Sequence, residues 1–330
     1  MRLEDRRGGL VLPHLEPEIG RHVVRAVKMV ALAGPGLTPA ARHLMAAGQR
    51  HVLGTAFELD ALAPITPEEL ASAGIPEDVR PIALLPMLAV SLADGTPQPA
   101  QMALVESFAA ALGIESTALR ELHRLAERQL LLFRLDFIRH GHIGDAVRER
   151  VLHGGVLELA KNLLGQAGLV ADPALAARYH ALAELPKNTL GYALWHHFTE
   201  HGFAFPGEKH GFPEAGIYHD VTHVLSGYPP TPEGELQVAA FTAGFKRHNP
   251  HYVLLFVLLT FSAGYNVTPA PQPDTAGIFA QEGLAEAFFT ALERGGRVNM
   301  DLTEGWNFWE HADVPVDELR ARLGVTPLSA

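Results

Sequence analysis

The chain has 330 residues, of which 48% are hydrophobic, enough apolar mass for a sizeable core and, from length, for two domains. Its net charge of -11 argues against a general affinity for nucleic acid, which needs a basic surface. With no cysteine, disulfides and thiolate metal sites are excluded, so a transition-metal site must draw on the 18 histidines, the 37 acidic residues and water.

The start, Met1-Arg2-Leu3-Glu4-Asp5-Arg6-Arg7, lacks the apolar core of a secretory signal. Alternating β-branched runs are scarce, and Ala, Leu, Glu and Arg dominate the long segments, so an all-α fold is expected. A helix over Glu18 to Ala33 should stop at Gly34-Pro35-Gly36. The next runs from Thr38, as N-cap, with Pro39 in the first turn, to Gly48. Pro64 to Pro81 reads as a turn-rich connection with one short helix. Helices follow over Ile82 to Ala93 and Pro99 to Leu112, the latter capped by Gly113, and another begins near Ser116. Leu104, Phe108, Ala111 and Leu112 share one face of their helix. Arg134 to Leu164 continues this region, and Arg139-His140-Gly141-His142 reads as a solvated helix end. These patterns divide the chain into helical domains over 1–160 and 161–330.

Within the first domain, Ala89-Val90-Ser91-Leu92-Ala93-Asp94-Gly95 and Ala109-Ala110-Ala111-Leu112-Gly113-Ile114 resemble the TerB-like helical domain of tellurite-resistance proteins. The helix after Asp-Gly opens Pro97-Gln98-Pro99-Ala100-Gln101, without the acidic residue that family places there. Asp94-Gly95 is accordingly read as a turn rather than a metal site.

The chemistry-bearing segment is Tyr218-His219-Asp220-Val221-Thr222-His223, followed by Gly227 and then Thr231-Pro232-Glu233-Gly234-Glu235. On a helix, His219 and His223 stack on one face, so both imidazoles can reach one ion. Asp220, rotated by about 100° on the same helix, can complete that sector as a ligand or hold a ligand imidazole. Gly227 ends the helix. Thr231 and Pro232 start the next one, which puts Glu235 in its first turn, beside the preceding helix. Two histidines with one or two carboxylates suit zinc, iron(II) or manganese, and the ligand set alone does not choose between them.

This arrangement, with Leu185-Pro186-Lys187-Asn188-Thr189-Leu190-Gly191 upstream and Gly296-Arg297, Trp309-Glu310 and Leu319-Arg320-Ala321-Arg322-Leu323-Gly324-Val325 downstream, resembles the ubiquinone (coenzyme Q) biosynthesis family named for the fourth yeast Coq protein. The resemblance spans residues 185 to 327. It implies an all-helical domain and a divalent metal, zinc or iron, held by His219, Asp220, His223 and Glu235. It also implies a prenylated quinone precursor or isoprenoid lipid as ligand, and a role in oxidative decarboxylation of the ring or in organising other quinone-biosynthesis proteins. The Gly202 to Gly211 segment and the fused N-terminal half depart from the family pattern.

The apolar run Tyr252 to Ala263 is too short to span a bilayer and reads as a buried helix. Tyr252, Leu255, Phe256 and Leu259 are candidate walls of a cavity for the prenyl tail. His197 and His201, four apart beside His196, read as a polar helix face, and His248 and His251 as capping or surface groups. Asp274 to Arg294 reads as a helix with Phe279, Leu284, Phe288 and Leu292 inward. The chain is expected in the cytoplasm, with peripheral contact at the inner face of the membrane open to it. The functions in view are a quinone-biosynthesis enzyme, a scaffold or lipid-binding protein with a structural metal, and, more remotely, a hydrolase. The last lacks the glutamate of a His-Glu-x-x-His motif, since Asp220 occupies that slot.

Overall fold

The computed structural model describes residues 15–77, 79–114, 171–211, 214–247, 254, 257–262 and 277–328. Among these the fold is all-α. No strand forms, and a single isolated bridge joins Thr189 to Pro315. The expected helix from Ser116, the stretch 134–164 and the division near residue 160 fall outside the described residues. So do His248 and His251.

In the N-terminal half, α1 (Pro17–Leu32) starts on a proline and buries Val23, Val24, Val27, Val30 and Ala31, a stripe at helical spacing. α2 (Pro39–Gly48) is capped as expected, with the Ala41 amide donating to Thr38 Oγ1 at 3.2 Å. A π-helical turn over Gln49–Leu53, which local propensity did not foretell, carries it on to Gly54. The one short helix of the connection is α3 (Pro67–Ala71), closed by a capping box between Thr66 and Glu69. α4 (Arg80–Ser91) accommodates Pro86 inside it. α5 (Pro99–Ala111) ends at left-handed Gly113, where the Ile114 amide reaches back to the Ala109 carbonyl at 2.9 Å.

In the C-terminal half come α6 (Pro173–His180), α7 (Leu190–His201), α8 (Ile217–Ser226), α9 (Pro232–Phe245), α10 (Leu284–Gly296) and α11 (Val316–Leu323). α9 packs most extensively against α10. A Cβ on Gly244 would fall 2.3 Å from the Leu292 carbonyl oxygen, and one on Gly295 only 2.0 Å from that of Phe241, so the two backbones can approach this closely only with glycine at both positions. The helix expected over 274–294 is shorter. Ile278–Ala280 forms a 3-10 turn, and left-handed Gly283 (φ 83°) breaks the chain before α10. Phe279, Phe288 and Leu292 are buried as expected, and Leu284 partly so.

Buried residues from both halves belong to one hydrophobic cluster. Polar ties cross between them. The Ser262 hydroxyl donates to the carbonyls of Leu92 and Ala93 at 2.8 and 3.0 Å. His51 lies between Glu286 and Glu293 of α10, at 2.6 and 2.8 Å. No helix among the described residues is long and apolar enough to cross a membrane.

Candidate metal centre

α8 carries two of the donors, and the chain around it holds the helix in place. Its C-terminal carbonyls, left without intrahelical partners, are taken up by arginines. Arg320 donates to the Val224 and Leu225 carbonyls, each at 2.9 Å, and Arg294 to that of Ser226 at 3.0 Å. A cation at a helix C-terminus also complements the helix dipole. Gly227 (φ 82°) then turns the chain, and Thr231 caps α9 through the Gly234 amide at 3.2 Å. A side chain at 234 is barred, since its Cβ would sit 1.8 Å from the Pro229 carbonyl oxygen. This tight connection returns Glu235, in the first turn of α9, to the face of α8 that bears the histidines.

The result is a triangle of residues in which both Glu235 oxygens face imidazole nitrogens. Nε2 of His219 and Nε2 of His223 lie 3.3 Å apart. Glu235 Oε2 is 3.1 Å from His219 Nε2, and Glu235 Oε1 is 3.2 Å from His223 Nε2. Donors bound at about 2.0–2.1 Å to one ion at tetrahedral angles are separated by about 3.3 Å. The His219–His223 edge has that spacing, Glu235 meets each imidazole with a different oxygen, and with one donor atom per residue the three lie within 4.8 Å of one another, close enough to hold a metal ion.

The surroundings favour that use. The Nδ1 of His223 donates to the Tyr228 carbonyl at 2.9 Å, which in the neutral ring leaves Nε2 as a lone pair aimed at the triangle. His223 is only 3% exposed. The His219 and Glu235 side chains keep 38% and 25% of their surface, so the triangle has an open side. Burial alone would push the Glu235 carboxyl up, but the hydrogen bonds and positive charge of His219 and His223 outweigh it and hold the group far below the usual carboxylate range. For His219, burial disfavours the charged form. The hydrogen bond to Glu235 and the charges of Glu235 and Asp220 win, and its pKa is raised.

Of the four ligands expected from sequence, the structure brings these three together. Asp220 sits apart from the triangle. It is buried, and its Oδ1 lies 3.6 Å from Nε2 of His197 on α7. His197 is thus not part of a polar face. Its side chain is 10% exposed and its ring stacks on His223 at 5.4 Å and 22°. His196 and His201 do face solvent, His196 pairing with Glu200 at 3.3 Å. The inward stripe Leu190, Leu194, Phe198 runs beside His197, a signal that periodicity offered and the local reading passed over. Glu214 was also unforeseen. It accepts hydrogen bonds from Trp309 Nε1 at 2.8 Å and from the Tyr179 hydroxyl at 3.3 Å. Burial first, then the charge of Glu214, pushes the Tyr179 phenol well above its ordinary pKa.

The segments that bracket α8 in sequence meet each other. The amides of Leu190 and Gly191 donate to the carbonyls of Val314 and Ala312 at 2.9 and 2.7 Å, and the Val316 amide to that of Asn188 at 2.8 Å. Asp94 is exposed and engaged otherwise. Its Oδ2 accepts from the Thr38 hydroxyl at 2.8 Å, in keeping with a turn. Of the expected cavity residues, Tyr252, Leu255 and Phe256 lie outside the described residues, and only the backbone of Leu259 is described, in a π-helical turn over Leu258–Ser262. A small apolar pocket lies among α1, α2, α4 and α10, lined by Val27, Leu44, Met45, Pro86 and Phe289, away from the triangle.

No family model and no curated protein matches this chain.

Proposed function

We propose that the chain is a metal-dependent protein of the ubiquinone-biosynthesis kind, which binds zinc or iron through His219, His223 and Glu235, with Asp220 as a further donor, and presents the ion to the ring of a prenylated quinone precursor. The observation that carries this reading is the convergence of His219, His223 and Glu235, with the two Nε2 atoms 3.3 Å apart and one Glu235 oxygen 3.1–3.2 Å from each. The open side at His219 and Glu235 supports access by a ligand. The order of the sequence elements from Leu185 to Val325 supports the family and, with it, an isoprenoid ligand, other quinone-biosynthesis proteins as partners, and peripheral contact with the inner face of the membrane.

A divalent ion would supply Lewis acidity toward a ring carboxylate or phenolic oxygen. The chain's own groups do the rest. Tyr228 orients His223 through its carbonyl. Glu235, held ionised between the two imidazoles, offsets the charge of a cation. His219, at the rim, lies where a ligand would enter.

The test is elemental analysis of the purified chain, with mass spectrometry of co-purifying lipid. One equivalent of zinc or iron is expected in the wild type and none in His223→Ala. Equal metal content in the two would refute the site. Because the donors come from two helices, an ion could also serve only to pin α8 to α9. That second reading predicts metal-dependent stability, no binding of a prenylated 4-hydroxybenzoate, and no turnover.

A further inference from the structure

His197 belongs to none of the roles above. Its side chain is nine-tenths buried, and the rings of His201 and Phe203 pack against it at 5.0 and 5.7 Å. Its Nε2 is buried and has no hydrogen-bond partner, although Asp220 Oδ1 is 3.6 Å away. Such an orphaned polar group is costly to leave without a partner, and the Asp220 carboxylate beside it is buried as well. The separation is too long for a hydrogen bond. A small side-chain rotation of Asp220 would close it. Asp220 is the neighbour of His219 on α8 and precedes His223 by three residues, so its carboxylate stands beside the face that bears the histidines.

We propose that His197 is a positioning residue of the metal centre: its Nε2–H donates to one oxygen of Asp220 and holds the other turned toward His219, His223 and Glu235 as a fourth donor. The proposal rests on the metal-site reading. A carboxylate that binds a metal is itself commonly held by a hydrogen bond from a residue behind it, and loss of such a partner weakens metal affinity by roughly 10–100-fold. His197 is not itself a donor of the triangle. Like the Asp220 oxygens, its nitrogens are not among the atoms gathered within 4.8 Å, and its ring lies against the face of His223. The role assigned to it uses its buried Nε2, which has no hydrogen-bond partner.

The experiment compares the full chain with His197→Phe, His197→Gln, Asp220→Asn and the His197→Phe/Asp220→Asn pair. Zinc affinity is measured by competition with a chromophoric chelator, and the donor set is read from the visible absorption of the cobalt(II)-loaded protein. The expected result is a roughly 10–100-fold loss of zinc affinity in His197→Phe, with a cobalt spectrum matching that of Asp220→Asn. His197→Gln, whose amide can still donate, should restore most of the affinity, and the double variant should lose no more than either single one. Unchanged affinity and spectrum in His197→Phe would overturn the proposal, as would losses that add in the double variant. Should the phenylalanine fail to fold, the glutamine variant carries the test: it must bind zinc more tightly than Asp220→Asn and keep the wild-type spectrum. Failure of the metal-site reading looks different, because there the wild type binds no more zinc than His223→Ala.

Discussion

At the first turn of α9 stands Glu235, and at its C-terminal cap stands Lys246. Both ends of the helix carry charge suited to its dipole, acid at the N-terminus and base at the C-terminus. Lys246 is fully buried, and its partners already surround it. The ammonium donates to Thr303 Oγ1 at 3.0 Å and to Glu304, with Asp301 at 3.9 Å. Asp301 is itself engaged by the amides of Arg247 and Thr303, at 2.8 and 2.9 Å. That cluster is complete, with cation and anions both supplied by the chain. At the other end one carboxylate faces two imidazoles, which carry positive charge only when protonated. The first cluster explains a stable helix end, whereas the second is suited to an incoming cation. Buried charge alone does not mark a binding site, and what matters is whether the chain supplies the counter-charge.

The largest expected effect breaks the complete cluster. Lys246→Met leaves Asp301 and Glu304 without their buried cation and should cost about 3–5 kcal/mol of stability. Chemical denaturation measures it, and a loss below 1 kcal/mol would show that the cluster is not closed as described. Next comes metal addition. Zinc at a hundred times its dissociation constant should stabilise the wild type by about 2.7 kcal/mol and leave His223→Ala unmoved. An equal rise of melting temperature in both proteins contradicts the site. Gly234→Ala, which forces a methyl group onto the Pro229 carbonyl, should cost about 1–3 kcal/mol and also weaken zinc binding by displacing Glu235. Retained affinity would mean that the tight connection is not what delivers that residue. Thr38→Ala, which removes the α2 cap and the contact to Asp94, should cost about 1 kcal/mol while metal content stays unchanged.

The smallest effect is the pH dependence of the metal-free protein, because His219 is partly in solvent. Its raised pKa stabilises the fold below the ordinary imidazole value of about 6.5, and that contribution fades as pH rises through the higher folded value. Glu235 has a lowered pKa, so its contribution is present above about 4.3 and disappears only as pH falls well below the usual carboxylate range. Melting temperature in the presence of a chelator should therefore be highest between these limits and decline toward alkaline pH, and Glu235→Gln should flatten that decline. A decline of the same size in the variant argues against the Glu235–His219 pair.

What lay within a few residues along the chain was settled by the sequence itself. Caps at Thr38 and Thr231, the stop at Gly113 and Gly227, and the shared face of His219 and His223 follow from helix period and from the unpaired groups at helix ends, which are local matters. Even the return of Glu235 to α8 follows from a short connection with a glycine before it. Packing between distant segments decided the rest. His197 entered the site because α7 lies against α8, and the ring that faces solvent in an isolated helix is buried there against His223. Asp220 turned toward that ring rather than toward the triangle. Gly283 broke a helix that the apolar pattern continued, since Phe279 and Phe288 are buried on either side of the break. Periodicity ranks the faces of one helix, and only its neighbours determine which of them water leaves.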